Sequence, residues 1–241
     1  MISNEPPETG YDLYFAIADV PVRVHPFFWL VAVLFGLSAR DLFGLLAWVA
    51  AMFLAVLVHE LGHAWAMRWY GYDPRILLYG LGGMTQFGRR IRVGAPRLSV
   101  AGRIFISFAG PAAGFTFAAL IVAVGIVAGY HPEAYLGLPY GVMIVMPGIS
   151  SFLVHSFVNY LLFVNVAWGL LNLMPIIPLD GGQIMREVFV AWDPWNGLRK
   201  AFAVSTATAV CLAVLFVLSG QWFIAILFGY LAFMGFQQSR F

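Results

Sequence analysis

Charge is scarce in this chain. Only 10% of its 241 residues are Asp, Glu, Lys or Arg, while 62% are hydrophobic, and the mean hydropathy is +0.87. Soluble domains carry about a quarter charged residues, so the composition excludes an ordinary soluble domain and predicts a polytopic membrane protein. Cysteine is nearly absent too. The single Cys211 lies in an apolar run, which excludes an intrachain disulfide and a thiolate metal cluster. The first 24 residues lack a basic segment and a small-residue cleavage site, and they carry Glu5, Glu8, Asp12 and Asp19. They are not expected to act as a signal peptide. There is no internal repeat and no low-complexity tract. The arginines follow the topology below, so no nucleic-acid partner is expected.

What is present is a series of apolar runs. Tyr14 to His25 alternates partly and contains Pro21, the pattern of a short strand or extended arm. Pro26 to Ser38 falls short of the ~20 residues a span needs, but tilt, local thinning and the flanking Trp29 and Arg40 accommodate it. Leu42 to Tyr70, Ile104 to Tyr130, Phe152 to Met174, Phe202 to Leu218 and Trp222 to Phe236 follow. The expected fold is an all-α polytopic membrane protein of about six transmembrane helices. An N-terminal arm, residues 1–25, precedes one transmembrane domain, residues 26–241. Between spans two and three, Leu77 to Phe87 holds Gly80, Gly82 and Gly83 among apolar neighbours. The glycines disfavour a helix and the apolar residues disfavour a solvated loop. An extended hairpin dipping into the membrane fits both, provided protein or a cavity covers it.

Six spans place twelve basic residues on one side and only Arg40 on the other. The positive-inside rule then puts both termini in the cytoplasm, as in a multi-pass protein of a bacterial inner membrane. His131 to Ser150, with three prolines, becomes an interfacial loop or lid on the opposite side.

Chemistry concentrates at Val58-His59-Glu60-Leu61-Gly62-His63. Histidines four apart share one helix face and can ligate one zinc ion, with the intervening glutamate as general base. The motif lies inside an apolar stretch. A carboxylate there costs roughly 2.5–3.5 kcal/mol on insertion scales, so an intramembrane Glu60 calls for a function.

A catalytic zinc wants three protein ligands and an open position. His59 sits about ten residues, or ~15 Å, from the inner end of its span, whereas His155 is ~30 Å from that surface. His131 falls on the outer side, and His25 precedes the first span. Asp180 lies just past the broken inner end of the fourth span, where Pro175 and Pro178 interrupt the helix. It reads either as the third ligand or as an N-cap for a short amphipathic helix, about Gln183 to Ala191. Charge favours the ligand: Zn²⁺, two neutral histidines, Asp180 and Glu60 sum to zero, as a low-dielectric interior requires.

His59-Glu60-Leu61-Gly62-His63, with Asn172-Leu173-Met174-Pro175 and Leu179-Asp180-Gly181-Gly182, resembles the site-2 protease family of intramembrane zinc metalloproteases. The glycine segment at Gly82-Gly83 and Gly110-Pro111 add support, and the resemblance covers a core of residues 42–182. It implies one zinc per chain on His59, His63 and Asp180, and Glu60 as the catalytic residue that activates water. It implies a contact of Asn172 with substrate or the oxyanion, although Asn172 reads equally as an interhelical hydrogen-bonding residue. The extended segment Leu77 to Phe87 reads as a substrate-binding strand, with Gly82 and Gly83 permitting close approach, or as a surface turn that connects two spans. Gly114 departs from the family, which often has Asn there. Neither a PDZ-like insertion nor a nucleotide-sensing domain fits this length, which leaves regulation absent or supplied by a membrane partner.

The expected activity is hydrolysis of peptide bonds in or beside transmembrane segments of substrate proteins within the lipid bilayer. The alternative is a metal-binding membrane protein without hydrolysis, either a transporter or an inactive protease homologue. A transporter should show polar residues along a path through several spans, whereas the ionisable groups here cluster at one depth.

Overall fold

The second apolar run forms the longest axis of the fold. In this computed structural model, which describes residues 6–39, 41–80, 82–91 and 98–238 but not the side chains of 87–91, it becomes helix α2, Leu42–Trp69. Asp41 starts it by accepting the Gly44 amide at 2.7 Å, a side-chain N-cap. Gly71, at φ 82°, ends it in the left-handed conformation that glycine adopts without strain. Helix α3, Val100–Val127, is capped by Ser99 in the same way. The two helices cross closely at Gly62, where a Cβ would stand 2.7 Å from the Ala113 methyl.

Among the described residues four helices are long and apolar enough to cross a membrane: α2, α3, the continuous stretch Phe152–Asn172 and α7, Gly197–Leu218. The stretch Phe152–Asn172 comprises α4, Phe152–Phe163, a π-helical turn at Val164–Trp168 and α5, Gly169–Asn172. Two further apolar helices are shorter. Helix α1, Pro26–Gly36, has 11 residues and α8, Trp222–Gln238, has 17. Eleven residues span ~17 Å against the ~30 Å of a hydrocarbon core. Helix α6, Asp180–Trp192, starts three residues earlier than the sequence suggested and at Asp180 itself.

The fold is not purely helical. Strands β1, Leu13–Ile17, β2, Val20–Val24, β3, Tyr72–Tyr79, and β4, Gly82–Ile91, make one sheet in the order β1-β2-β3-β4. The first and last pairs are antiparallel, and β2 runs parallel to β3 with Val22 opposite Ile76 and Val24 opposite Leu78. Buried Val20, Val22, Val24, Ile76 and Leu78 pack on Phe28 of α1 and on Met52, Val56 and Leu57 of α2. Of the segment Tyr14 to His25, read as a short strand or extended arm, the strand is found, and Val20, Val22 and Val24 join the core. Their alternation supplies its apolar face, and this period-2 signal is easily masked in a short segment.

Between Leu138 and Tyr140 the chain turns from β5, Glu133–Gly137, into β6, Gly141–Val145. The expected loop is thus a hairpin, tied to α4 by the Met146 amide donating to Asn159 Oδ1 at 2.7 Å.

Candidate metal and catalytic site

His59 and His63 lie one turn apart in α2, and their Nε2 atoms stand 3.1 Å from each other. Asp180, on α6, brings Oδ2 to 3.0 Å from His59 Nε2 and Oδ1 to 3.3 Å from His63 Nε2. Among the described residues this is the one group of three or more His, Cys, Asp or Glu whose ligand atoms lie close enough to share an ion. On a tetrahedral metal with ~2.0–2.2 Å bonds, ligand atoms stand roughly 3.3–3.6 Å apart. The observed triangle is slightly tighter and needs only a few tenths of an ångström of opening.

Neighbouring elements set each ligand. The Ile106 carbonyl of α3 can only accept, so His63 Nδ1–H donates to it at 2.7 Å. That fixes the tautomer and leaves the Nε2 lone pair facing Asp180. Gly110 of α3 roofs both imidazoles. A Cβ there would overlap His63 and stand 2.8 Å from His59 Nε2. We expect Gly110→Ala to lower metal affinity at least tenfold with little loss of fold, measured by chelator competition, because the added methyl must displace the rings.

Asp180 is placed by the irregular chain before it. A Cβ at Gly181 or Gly182 would run into backbone at Leu173–Ile177, so α6 docks closely on that turn. The turn is held in place by the Ile177 amide donating to buried Ser205 Oγ of α7 at 2.9 Å. Two turns further along, Glu187 accepts from Arg103 Nε of α3 at 2.6 Å and from Arg186 at 2.7 Å. Burial works against the Glu187 anion, but the two guanidinium groups outweigh it and hold the carboxyl below its usual range. The cap position of α6 is held by Leu179, Asp180 is the first helical residue, and its carboxylate oxygens face the two imidazoles.

Glu60 is 4% exposed. Its Oε2 accepts from the Thr85 hydroxyl of β4 at 2.7 Å. Gly83, two residues before Thr85 on the same strand face, lies so close that a Cβ would stand 2.5 Å from Glu60 Oε1. Gly82 has open space where a Cβ would go. Both glycines and Asn172 line a cavity of about 570 Å³ together with His59, Glu60 and Asp180. The other histidines lie elsewhere. His25 Nδ1 accepts the Phe27 amide at the start of α1, and His155 sits beside Asn159.

Sequence reasoning missed Thr85, the Ile106 carbonyl, the Arg103–Glu187 pair and Asn165. The last is a buried cavity residue on the π turn, whose Nδ2 donates to the Leu161 carbonyl at 2.8 Å. Period-2 spacing from Gly83 would have found Thr85. Nothing in the sequence marks the π turn.

Comparison with known proteins accords with this geometry. The chain is 30% identical over 226 residues to stage IV sporulation protein FB of Bacillus subtilis, covering 91% of this chain and 66% of that protein. It is 25% identical over 210 residues to zinc metalloprotease MJ0392 of Methanocaldococcus jannaschii, covering 86% of this chain and 52% of the other. The chain thus spans about half to two thirds of the length of these curated relatives. The solved site-2 protease from Methanocaldococcus jannaschii shares the fold at a TM-score of 0.57, with 22% identity and 96% of each chain covered. A family model, peptidase family M50, matches residues 47–218. That stretch holds His59 and His63 of α2 and Asp180 of α6, the whole ligand group described above, and this integral membrane protein belongs to peptidase family M50.

Proposed function

We propose that the chain is an intramembrane zinc endopeptidase, with residues 26–241 as its transmembrane protease domain. The observation that carries this reading is the convergence of two imidazole nitrogens, one carboxylate and a separate buried carboxylate on a cavity lined by strand β4. The donor set fits zinc. It offers two nitrogens and an oxygen, the tautomer of His63 is fixed from behind, and Gly110 leaves room for the ligand atoms. His59, His63 and Asp180 would hold the ion. Once bound, zinc acidifies water and polarises a carbonyl. Glu60 takes the proton from the attacking water and returns it to the leaving amine, the ordinary cycle of a general base and acid.

Substrate recognition follows from the sheet edge. Glu60 lies nine residues before the Trp69 end of α2, ~14 Å along the helix axis, and β4 reaches it there. This supports the reading of β3–β4 as a membrane-dipping hairpin. Among the described residues β4 has a strand neighbour on one side only. A transmembrane segment must unwind to expose its peptide bond, and unpaired backbone in hydrocarbon costs several kcal/mol per group. The free edge of β4 would replace those partners by strand addition, with Gly82 and Gly83 permitting close approach and Asn172 meeting substrate across the cavity. The decisive assay is cleavage of a transmembrane peptide by purified protein in proteoliposomes, with and without a zinc chelator. Intact peptide under all conditions would refute the reading.

The proposed orientation has β3–β4 on the cytoplasmic side of the bacterial inner membrane and β5–β6 on the other, with both termini cytoplasmic. Its support is the basic-residue asymmetry, together with the two hairpins flanking opposite ends of α3. In a Cys211→Ser background, Asp73→Cys is expected to react with an impermeant thiol reagent only in inverted vesicles, and Glu133→Cys only in intact cells. Labelling of both from one side would overturn the orientation.

A further inference from the structure

Among the described residues, strand β4 holds the one side-chain group seen to hydrogen-bond the Glu60 carboxylate. Its inward positions, Gly83 and Thr85, are built around that side chain. Gly83 supplies space and Thr85 supplies a hydroxyl 2.7 Å from Oε2. The same hydroxyl lies 3.1 Å from the Glu60 backbone carbonyl, so it straddles the residue and restricts the side chain relative to its own helix. Met84 and Gln86 occupy the opposite strand face, where Gln86 Nε2 lies 2.8 Å from Met84 Sδ. The partner is also of a suitable kind. A hydroxyl orients a carboxylate without neutralising it, whereas a lysine or arginine would suppress its basicity.

We propose that Thr85 is a positioning residue for Glu60, and that its place on β4 couples strand docking to alignment of the base. The inference rests on the protease reading above. A substrate strand that pairs with β4 holds the backbone at Thr85 in one geometry. The Thr85 hydroxyl then holds the Glu60 carboxylate at one rotamer beside the metal ligands. Chemistry is thereby favoured when an unwound segment occupies the edge.

Thr85→Val keeps the shape and removes the donor, and Thr85→Ser keeps the donor and removes the methyl. Purified full-length protein in proteoliposomes, with a transmembrane peptide as probe, is expected to show kcat reduced about 10- to 100-fold in Thr85→Val. KM and zinc content should be unchanged, and Thr85→Ser should restore kcat to within about threefold. A second readout needs no turnover. In metal-free protein, the infrared difference between wild type and Glu60→Gln isolates the Glu60 carboxylate band. Thr85→Val should shift that band and Thr85→Ser should not. Wild-type kcat in Thr85→Val, equal losses in the Val and Ser variants, or an unmoved carboxylate band would each overturn the proposal. If Thr85→Val does not fold, Thr85→Ala against Thr85→Ser decides by the same two readouts. Activity retained by Glu60→Gln would instead sink the general-base reading, which is a separate outcome.

Discussion

Glutamine at position 60 is expected to leave one zinc per chain and to lower turnover by about 10²–10⁴-fold, the range a positioned general base contributes. Glu60 is the buried carboxylate beside the ligand group and is not one of its three members. Glutamine has nearly the same shape, and its amide oxygen can accept from Thr85 as the carboxylate does. What it lacks is a basic oxygen. The expected signature is therefore a large fall in kcat with metal content and thermal stability close to wild type, read by mass spectrometry of the cleavage products and by elemental analysis. A metal-binding protein without hydrolysis would show no cleavage in either form. Wild-type turnover in Glu60→Gln would require another base, and among the described residues the only other carboxylate lining the cavity is Asp180.

The part of the site that lies within one helix was legible in the sequence. Histidines at i and i+4 must share a face once the segment is helical, so His59, Glu60 and His63 needed no tertiary information. Depth, charge and the family resemblance together point to Asp180, because a divalent ion in a dry interior demands an anion. The length of the helices was less legible. Pro26 to Ser38 is apolar throughout, yet the helix stops at Gly36, and β2 feeds it from a sheet that packs on α2. Hydropathy counts apolar residues, and it does not fix where a helix ends. The sheet itself was half visible. The glycine segment pointed to an extended hairpin, but the parallel pairing of β2 with β3 joins residues 22 and 76 across an intervening helix pair, and no local pattern encodes that contact. The π turn at Val164–Trp168 was invisible for a related reason, since it preserves the apolar character of its span.

Alanine at position 180 is expected to strip the metal. His59 and His63 stay paired on α2 without it, but they supply only two neutral nitrogens. The ion would then face Glu60 as its single anion, leaving a net positive charge in a site whose walls are apolar. Loss of outer hydrogen-bonding partners typically lowers metal affinity 10–100-fold, and loss of a ligand together with its charge should exceed that. We expect a fall of more than 100-fold by chelator competition, and under a tenth of wild-type zinc after dialysis. The fold should persist, because α6 docks through Gly181, Gly182 and the Glu187–Arg103 pair rather than through the Asp180 side chain. Glu187→Gln separates the two roles. It weakens the clamp between α3 and α6 while leaving the ligand in place, so it should lower zinc affinity by less than tenfold and thermal stability by more than Asp180→Ala does. Full zinc in Asp180→Ala would move the third ligand elsewhere. It would also leave unexplained why two glycines bring the start of α6 to the imidazoles, at the one point in its length where it carries a carboxylate toward α2.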